Sequence, residues 1–295
     1  MKLIKAKRGN TKLRIGISGA SGFGKTYSSL LMAHGLTEDY SKIAIIDSES
    51  NSACLYSQLG EFNVINLAPP YSPEKYIEAL HLCENAGLEV IIIDSLSHEW
   101  NGPGGCLDIH EKLGGRFQDW AKVTPRHQAL LDTILSSSCH VICTTRRKTD
   151  YSLDVSQNGK SRVVKHGTKE ITRDGFEYEL TVNLELINEN HLAKASKDRT
   201  GLFMNKPEFI INEAIGKQLK KWCTQSEDIA LVKKEILACE TIEGLRHLYQ
   251  KYQSLKNELM PLILSRKEAL EKTERIIVSD HKIIDNNKRP THDNN

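Results

Sequence analysis

Gly19-Ala20-Ser21-Gly22-Phe23-Gly24-Lys25-Thr26 fills every fixed position of the pattern G-x-x-x-x-G-K-[ST]. The apolar stretch Leu13-Arg14-Ile15-Gly16-Ile17 leads into it, and a helix-like run, Tyr27 to Leu36, leads out. Strand before and helix after is the setting in which this pattern means phosphate binding. Glycines let the backbone curl until successive N–H groups face one anion. A helix beginning there adds the positive end of its dipole. Gly19, Ser21, Gly22, Phe23, Gly24, Lys25, Thr26 and Tyr27 are therefore candidate contacts to a nucleotide. Lys25 is expected to reach the β- and γ-phosphates of ATP, and the Thr26 hydroxyl to ligate Mg²⁺.

Outward from this loop, apolar runs alternate with helical patterns to about residue 145. Lys42 to Asp47, Phe62 to Leu67, Glu89 to Asp94 and Cys139 to Thr144 read as strands. Ser72-Pro73-Glu74 starts a helix that continues to Glu84, with proline in the first turn. Gln118 to Ser136 reads as a helix interrupted or restarted near Pro125. Strands that are apolar throughout are buried on both faces, which predicts an α/β fold with a mostly parallel central sheet flanked by helices.

Past residue 146 the chain turns polar and basic, with Asn158-Gly159 as a hairpin signal. Glu179 to Leu186 alternates like a strand with one exposed face. Leu202 to Ile211 is expected to give an edge strand, and Asn212 to Trp222 a closing helix. Apolar spacing at Ile229, Val232 and Ile236, then Ile242, Leu245, Leu248, Tyr249 and Tyr252, gives two amphipathic helices. A third helix should run from about Leu255 or Pro261 to Lys272. The expected organisation is a core over 1–223, a small helical appendage over 224–274 and a disordered tail over 275–295.

The chain has 295 residues, 39% of them hydrophobic and 26% charged, a soluble globular composition. No apolar run approaches the length of a membrane span, and the charged start does not read as a signal peptide. Seven scattered cysteines without a C-x-x-C pair fit reduced thiols, hence a cytoplasmic setting. His98, His110 and His127 match no metal-ligand spacing. Residues 1–37 carry seven Lys/Arg and no acid, and residues 146–173 carry eight Lys/Arg against three acids. Such blocks suit a polyanion or a solvated basic face. The candidate nucleic-acid contacts are Arg146, Arg147, Lys148, Lys160, Arg162, Lys165 and Lys169.

A phosphate loop needs further groups. Asp94 closes an apolar strand and is expected to organise Mg²⁺. Hydrolysis needs a base for the attacking water. Glu49, just past the strand ending at Asp47, is the preferred candidate, with Glu99 the alternative. Thr144, with Thr145 beside it, stands where a polar residue senses the γ-phosphate. Ser196-Lys197-Asp198-Arg199-Thr200-Gly201 places Lys197 and Arg199 two residues apart, on one side of an extended chain. They are candidates for activation in trans by a neighbouring subunit.

With these pieces placed, residues 12–223 resemble the RecA-like P-loop ATPases. They look in particular like phage-encoded AAA-type ATP-binding proteins of the single-strand-annealing, RecA-core kind. Ile45-Ile46-Asp47-Ser48-Glu49 is similar to the segment whose glutamate activates water. Ile91-Ile92-Ile93-Asp94-Ser95 is similar to its Walker B strand, and Ser196 to Gly201 to a Lys-x-Arg motif acting in trans. Pro69 to Tyr76 and Ser97 to His110 resemble the phage group. The chain departs from RecA in carrying Thr144-Thr145-Arg146 where RecA has a sensor glutamine. The resemblance implies ATP, Mg²⁺ and single-stranded DNA as ligands, with residues 100–118 and 146–173 facing the DNA. It implies assembly into a ring or filament, single-strand-binding or recombination proteins as partners, and the bacterial host cytoplasm as location. The expected function is a DNA-dependent ATPase of phage-type recombination or single-strand annealing. The competing readings are a nucleotide-gated loader or scaffold with little hydrolysis, and a P-loop kinase.

Overall fold

The computed structural model describes residues 11–155, 161–224, 229–252, 255–256 and 259–272. The chain divides into two compact units, with the boundary between Trp222 and Cys223. The first unit runs β1 (Arg14–Gly19), α1 (Lys25–Thr37), β2 (Ile43–Asp47), β3 (Asn63–Asn66), α2 (Pro73–Asn85), β4 (Val90–Asp94), α3 (Ser97–Asn101) and α4 (Cys106–Lys112). It continues through α5 (Trp120–Ser136), β5 (His140–Val155), β6 (Ser161–Glu170), α6 (Phe176–Glu179), β7 (Val182–Leu186), β8 (Leu192–Asp198), β9 (Phe209–Ile210) and all but the last two residues of α7 (Glu213–Thr224).

The strands order as β3-β2-β4-β5-β1-β7-β8-β9. β3 through β7 are parallel, while β8 and β9 add antiparallel at one edge. The reason is local: every residue of β1, β2 and β4 is buried, so both sheet faces must be covered. Ala44, Ile46, Ile91 and Ile93 pack with Tyr76 and Leu80 of α2 and Leu130 and Ile134 of α5. Ile45 and Ile92, of opposite parity, point to the other face. Each such side chain contributes about 1.5–3 kcal/mol by leaving water. α1 packs against β1, β2, β4 and β5. It meets α7 at Gly35 and Gly216, where an added Cβ would lie 2.1 Å from the Glu213 carbonyl and 2.2 Å from that of Met32.

The sequence expectations need correction at several points. β5 does not stop at Thr144: it continues to Val155 and pairs antiparallel with β6, with a register break between Asp150 and Tyr151. The two strands flank the expected Asn158-Gly159 turn, which lies outside the described residues. α5 runs through Pro125 without interruption. Ala121 and Pro125 are both exposed, so the carbonyl deprived of an amide partner is open to water. β7 has no open face: it lies beside β1 as an inner parallel strand. Arg14 belongs to no basic surface, since its guanidinium is buried and donates to the carbonyls of Leu13, Cys139, Leu135 and Ser137 at 2.6–3.0 Å.

In the second unit, α8 (Ile229–Ala238), α9 (Ile242–Lys251) and a helical run over 259–272 share a core of Val232, Ile236, Leu245, Tyr252, Leu255, Leu259 and Ile263. Thr241 caps α9 by accepting from the Gly244 amide at 3.1 Å. The expected tail over 275–295 lies outside the described residues. Among the described residues, no helix is long and apolar enough to cross a membrane.

Candidate nucleotide site

Register places the site. Asp47 lies beside Asp94, Ile17 beside Thr144 and Gly19 beside Arg146, so the carboxyl ends of β1, β2 and β4 form one rim with the middle of β5. Open parallel sheets bind ligands at that rim. Gly22 and Gly24 hold φ of 81° and 88°, which side-chain-bearing residues rarely adopt. α1 begins at Lys25, immediately after Gly24. The Lys25 ammonium donates to the Ala20 carbonyl at 2.9 Å. Burial lowers its pKa, opposed by the nearby charges of Asp94 and Glu49. Lys25→Ala should weaken ATP binding by about tenfold to a hundredfold, the scale of a lost charge-assisted hydrogen bond. Calorimetric titration checks this, and an unchanged affinity would remove the loop from the nucleotide site.

Asp94 is buried. Thr26 Oγ1 donates to its Oδ2, and Thr144 Oγ1 to its Oδ1, each at 2.5 Å. Burial pushes the carboxyl above the ordinary range, and the two hydroxyls work against that shift. A hydroxyl and a carboxylate converging beside a phosphate loop make a hard-oxygen donor set, which fits Mg²⁺.

Glu49 stands on the same rim. Its Oε1 accepts from Arg146 Nε at 2.8 Å and from Ser95 Oγ at 2.9 Å, and its Oε2 accepts from Arg146 Nη2. Burial would raise its pKa, but the Arg146 and Ser95 contacts outweigh burial and hold the carboxyl below its usual range. Asp47 fixes the turn that presents Glu49, accepting the Glu49 amide at 2.6 Å and the Ala53 amide at 2.8 Å. A cleft of about 680 Å³ joins these groups to Tyr27, Tyr56, Ile210, Ile211 and Asn212. The Tyr27 and Tyr56 rings lie 5.8 Å apart, an apolar end suited to a nucleobase.

A family model described as AAA domain matches residues 11–210, about two thirds of the chain. The chain belongs to the AAA domain family. No curated protein matches it. In this AAA domain the strand bearing Asp94 is separated from the strand bearing the phosphate loop by β5, which carries Thr144 into the gap.

Glu99 does not line the AAA domain's cleft. It is fully buried, with His127 Nδ1 at 2.9 and 3.1 Å and the Cys106 thiol donating at 3.0 Å. Lys197 and Arg199 do not line the cleft either. Lys197 Nζ donates to the carbonyls of Glu177, at 2.7 Å, and Tyr178, and Arg199 Nη2 donates to the Tyr178 carbonyl at 2.7 Å. The two cations therefore point the same way. Asp198 accepts the amides of Thr200, Phe203 and Met204 instead.

Three of the expected nucleic-acid contacts, Arg146, Arg147 and Lys169, have other partners. Arg146 is committed to Glu49. Arg147 is mostly buried and pairs with Glu170 at 3.4 Å and Glu185 at 3.2 Å, because the odd-numbered side of β5 faces those acids. Lys148 is exposed, and Lys169, also exposed, pairs with Asp174 at 2.7 Å. Arg162 and Lys165 lie on β6, and Lys160 lies outside the described residues. The sequence reading missed His191, which reaches the Phe23 carbonyl with Nδ1 at 2.8 Å from 168 positions away. It also missed the place of Arg146 in the cleft. An arginine directly after the apolar run His140 to Thr145, at the ligand-binding rim, was the available signal.

Proposed function

We propose that this AAA domain hydrolyses ATP in response to single-stranded DNA, in recombination or single-strand annealing of the phage type. The observation behind the reading is a second groove, of about 970 Å³, that has the lining residue Ile171 in common with the nucleotide cleft. Trp100, Phe117 and Trp120 line it together with Lys148, Lys169 and Arg173, and Ile171 lines both cavities. Trp100 and Trp120 stack at 5.7 Å, and the Arg173 guanidinium lies 5.9 Å from the Trp120 ring centre. Phe117 is 93% exposed, an unusual cost for a side chain that only packs. Aromatic faces for bases beside cations for phosphates are the two components of single-strand binding. The basic segment supplies the cations, and the segment after β4 supplies the aromatic rings.

The chemistry follows from the rim. Loop amides and Lys25 hold the β- and γ-phosphates. Thr26 and Asp94 would hold Mg²⁺, which when bound neutralises phosphate charge. A water attacks the γ-phosphorus, the bond to the β–γ bridging oxygen breaks, and Glu49 takes the proton of the water. ADP and phosphate leave. Lys197 and Arg199 serve the cleft of a neighbouring subunit in a ring or filament. The pairing of Glu49 with Arg146 favours a second reading, a nucleotide-gated loader with little hydrolysis.

ATP turnover measured with and without an oligothymidylate separates the two readings. Phe117→Ala should weaken oligonucleotide binding by about 5- to 150-fold, the scale of one lost stacking contact. Lys148→Gln should reduce the slope of log affinity against log salt by about one. Fluorescence anisotropy across a salt series measures both, and unchanged affinity and slope would place the nucleic acid elsewhere.

A further inference from the structure

We propose that Glu99, Cys106 and His127 form a zinc site that ties α3, α4 and α5 together, outside the nucleotide cleft. The Cys106 sulfur, a ring nitrogen of His127 and a carboxylate oxygen of Glu99 lie within 4.8 Å of one another, and all three residues are buried. Their point of convergence is Glu99 Oε1, which the Cys106 thiol reaches at 3.0 Å and His127 Nδ1 at 2.9 Å. Bond lengths of about 2.0–2.3 Å set tetrahedral donors to zinc roughly 3.4–3.6 Å apart. Each donor therefore draws back by about half an ångström to admit the ion. Glu99 Oε2, 3.1 Å from the same Nδ1, is available for the fourth position.

Hydrogen bonding alone serves these groups poorly. A thiol is a weak donor. His127 Nε2 is buried with no hydrogen-bond partner among the described residues. The only ion pair of Glu99 among the described residues is with His127. A carboxylate closed to water and incompletely paired is costly. A zinc dication with one carboxylate, one thiolate and one neutral imidazole sums to zero net charge, and the thiol proton leaves to solvent as the sulfur binds. Mixed sulfur, nitrogen and oxygen donors suit Zn²⁺, whereas the oxygens of Thr26 and Asp94 suit Mg²⁺. The fold gives the ion a task. α3 and α4 are five and seven residues long, too short to persist alone. Zinc would staple both to α5. Trp100 follows Glu99 and its ring meets that of His127 edge-on at 5.6 Å, so the ion would also fix one wall of the aromatic groove. Cys106 and His127 lie 7 and 28 positions from Glu99, so no short ligand spacing marks the site.

The test is to produce the full chain in cells supplied with Co²⁺, so that the ion enters during folding, and to record its absorption spectrum. About one Co²⁺ per chain with a thiolate-to-cobalt charge-transfer band is expected. Thr26 and Asp94 cannot give that band, having no sulfur. A Cys54→Ser, Cys239→Ser double variant, which removes the thiols that solvent reaches, should keep it. Cys106→Ser should lose it and should bind Zn²⁺ more weakly by more than the 10- to 100-fold, roughly, that a lost outer-shell partner costs. At free Zn²⁺ about a hundred times its Kd, the wild type should melt about 5–10 °C above the chelated protein, and Cys106→Ser should show no such rise. A wild type without the band, a band that survives Cys106→Ser or vanishes with Cys54 and Cys239, or a melting temperature indifferent to chelation overturns the site. Should Cys106→Ser fail to fold, the wild type and the double variant decide the matter. None of these readouts depends on ATP turnover.

Discussion

Arg199→Ala is expected to bind ATP nearly as well as the unaltered protein and to turn it over about 10³-fold more slowly, the scale of a lost arginine finger. Arg199 and Lys197 converge on the carbonyl of Tyr178 and do not line their own cleft. Among the described residues neither is in an ion pair, and the intervening Asp198 is occupied by backbone amides. Two cations sharing one carbonyl oxygen repel each other, and a phosphate from outside would relieve that repulsion. Mixing Arg199→Ala with Glu49→Gln tests the trans arrangement directly. At a mixed interface the first subunit supplies an intact base and the second an intact finger, so part of the activity should return. A dead mixture of subunits that still co-assemble, or full activity in a monomer, would remove Arg199 from the reaction.

The second large effect falls on Glu49. Glu49→Gln should bind ATP and hydrolyse it at least about a hundredfold more slowly, the usual scale for losing general-base help. The amide keeps the shape of the side chain but takes no proton. Single-turnover measurement isolates this step from product release. Glu99→Gln should behave differently. Glu99 is sealed against His127 and Cys106, so its loss should lower the melting temperature more than the rate. A larger catalytic loss for Glu99→Gln would transfer the base role and leave Glu49 a surface acid.

These two glutamates illustrate what a sequence carries. The phosphate loop was legible because all its residues are contiguous and its geometry is set by glycine. Asp94 was legible because it closes a run of isoleucines that only a buried strand explains. The contact of Glu49 with Arg146 spans 97 positions, and the sealing of Glu99 depends on how α3, α4 and α5 meet. Neither leaves a local signal. β8 was hidden for another reason: its buried positions are Ala193 and Ala195, too small to mark an alternating pattern between Lys194 and Ser196. Arg14 reads as surface charge in any composition count, and only the four carbonyls around it show otherwise.

β5 has a mechanical consequence. It is one continuous strand, clamped between β1 and β4 at its inner end and, among the described residues, paired only with β6 along its outer part. Val155 is eleven residue steps from Thr144, so at about 3.3 Å per residue the arm extends some 36 Å from the phosphate rim. A paired strand resists stretching, since its backbone is already near full extension. Force applied to the far end is therefore transmitted along the rod to Thr144 and Arg146, with the register break between Asp150 and Tyr151 as the joint where the arm can flex. Whatever grips the hairpin pulls on a lever whose fulcrum is the phosphate-loop rim.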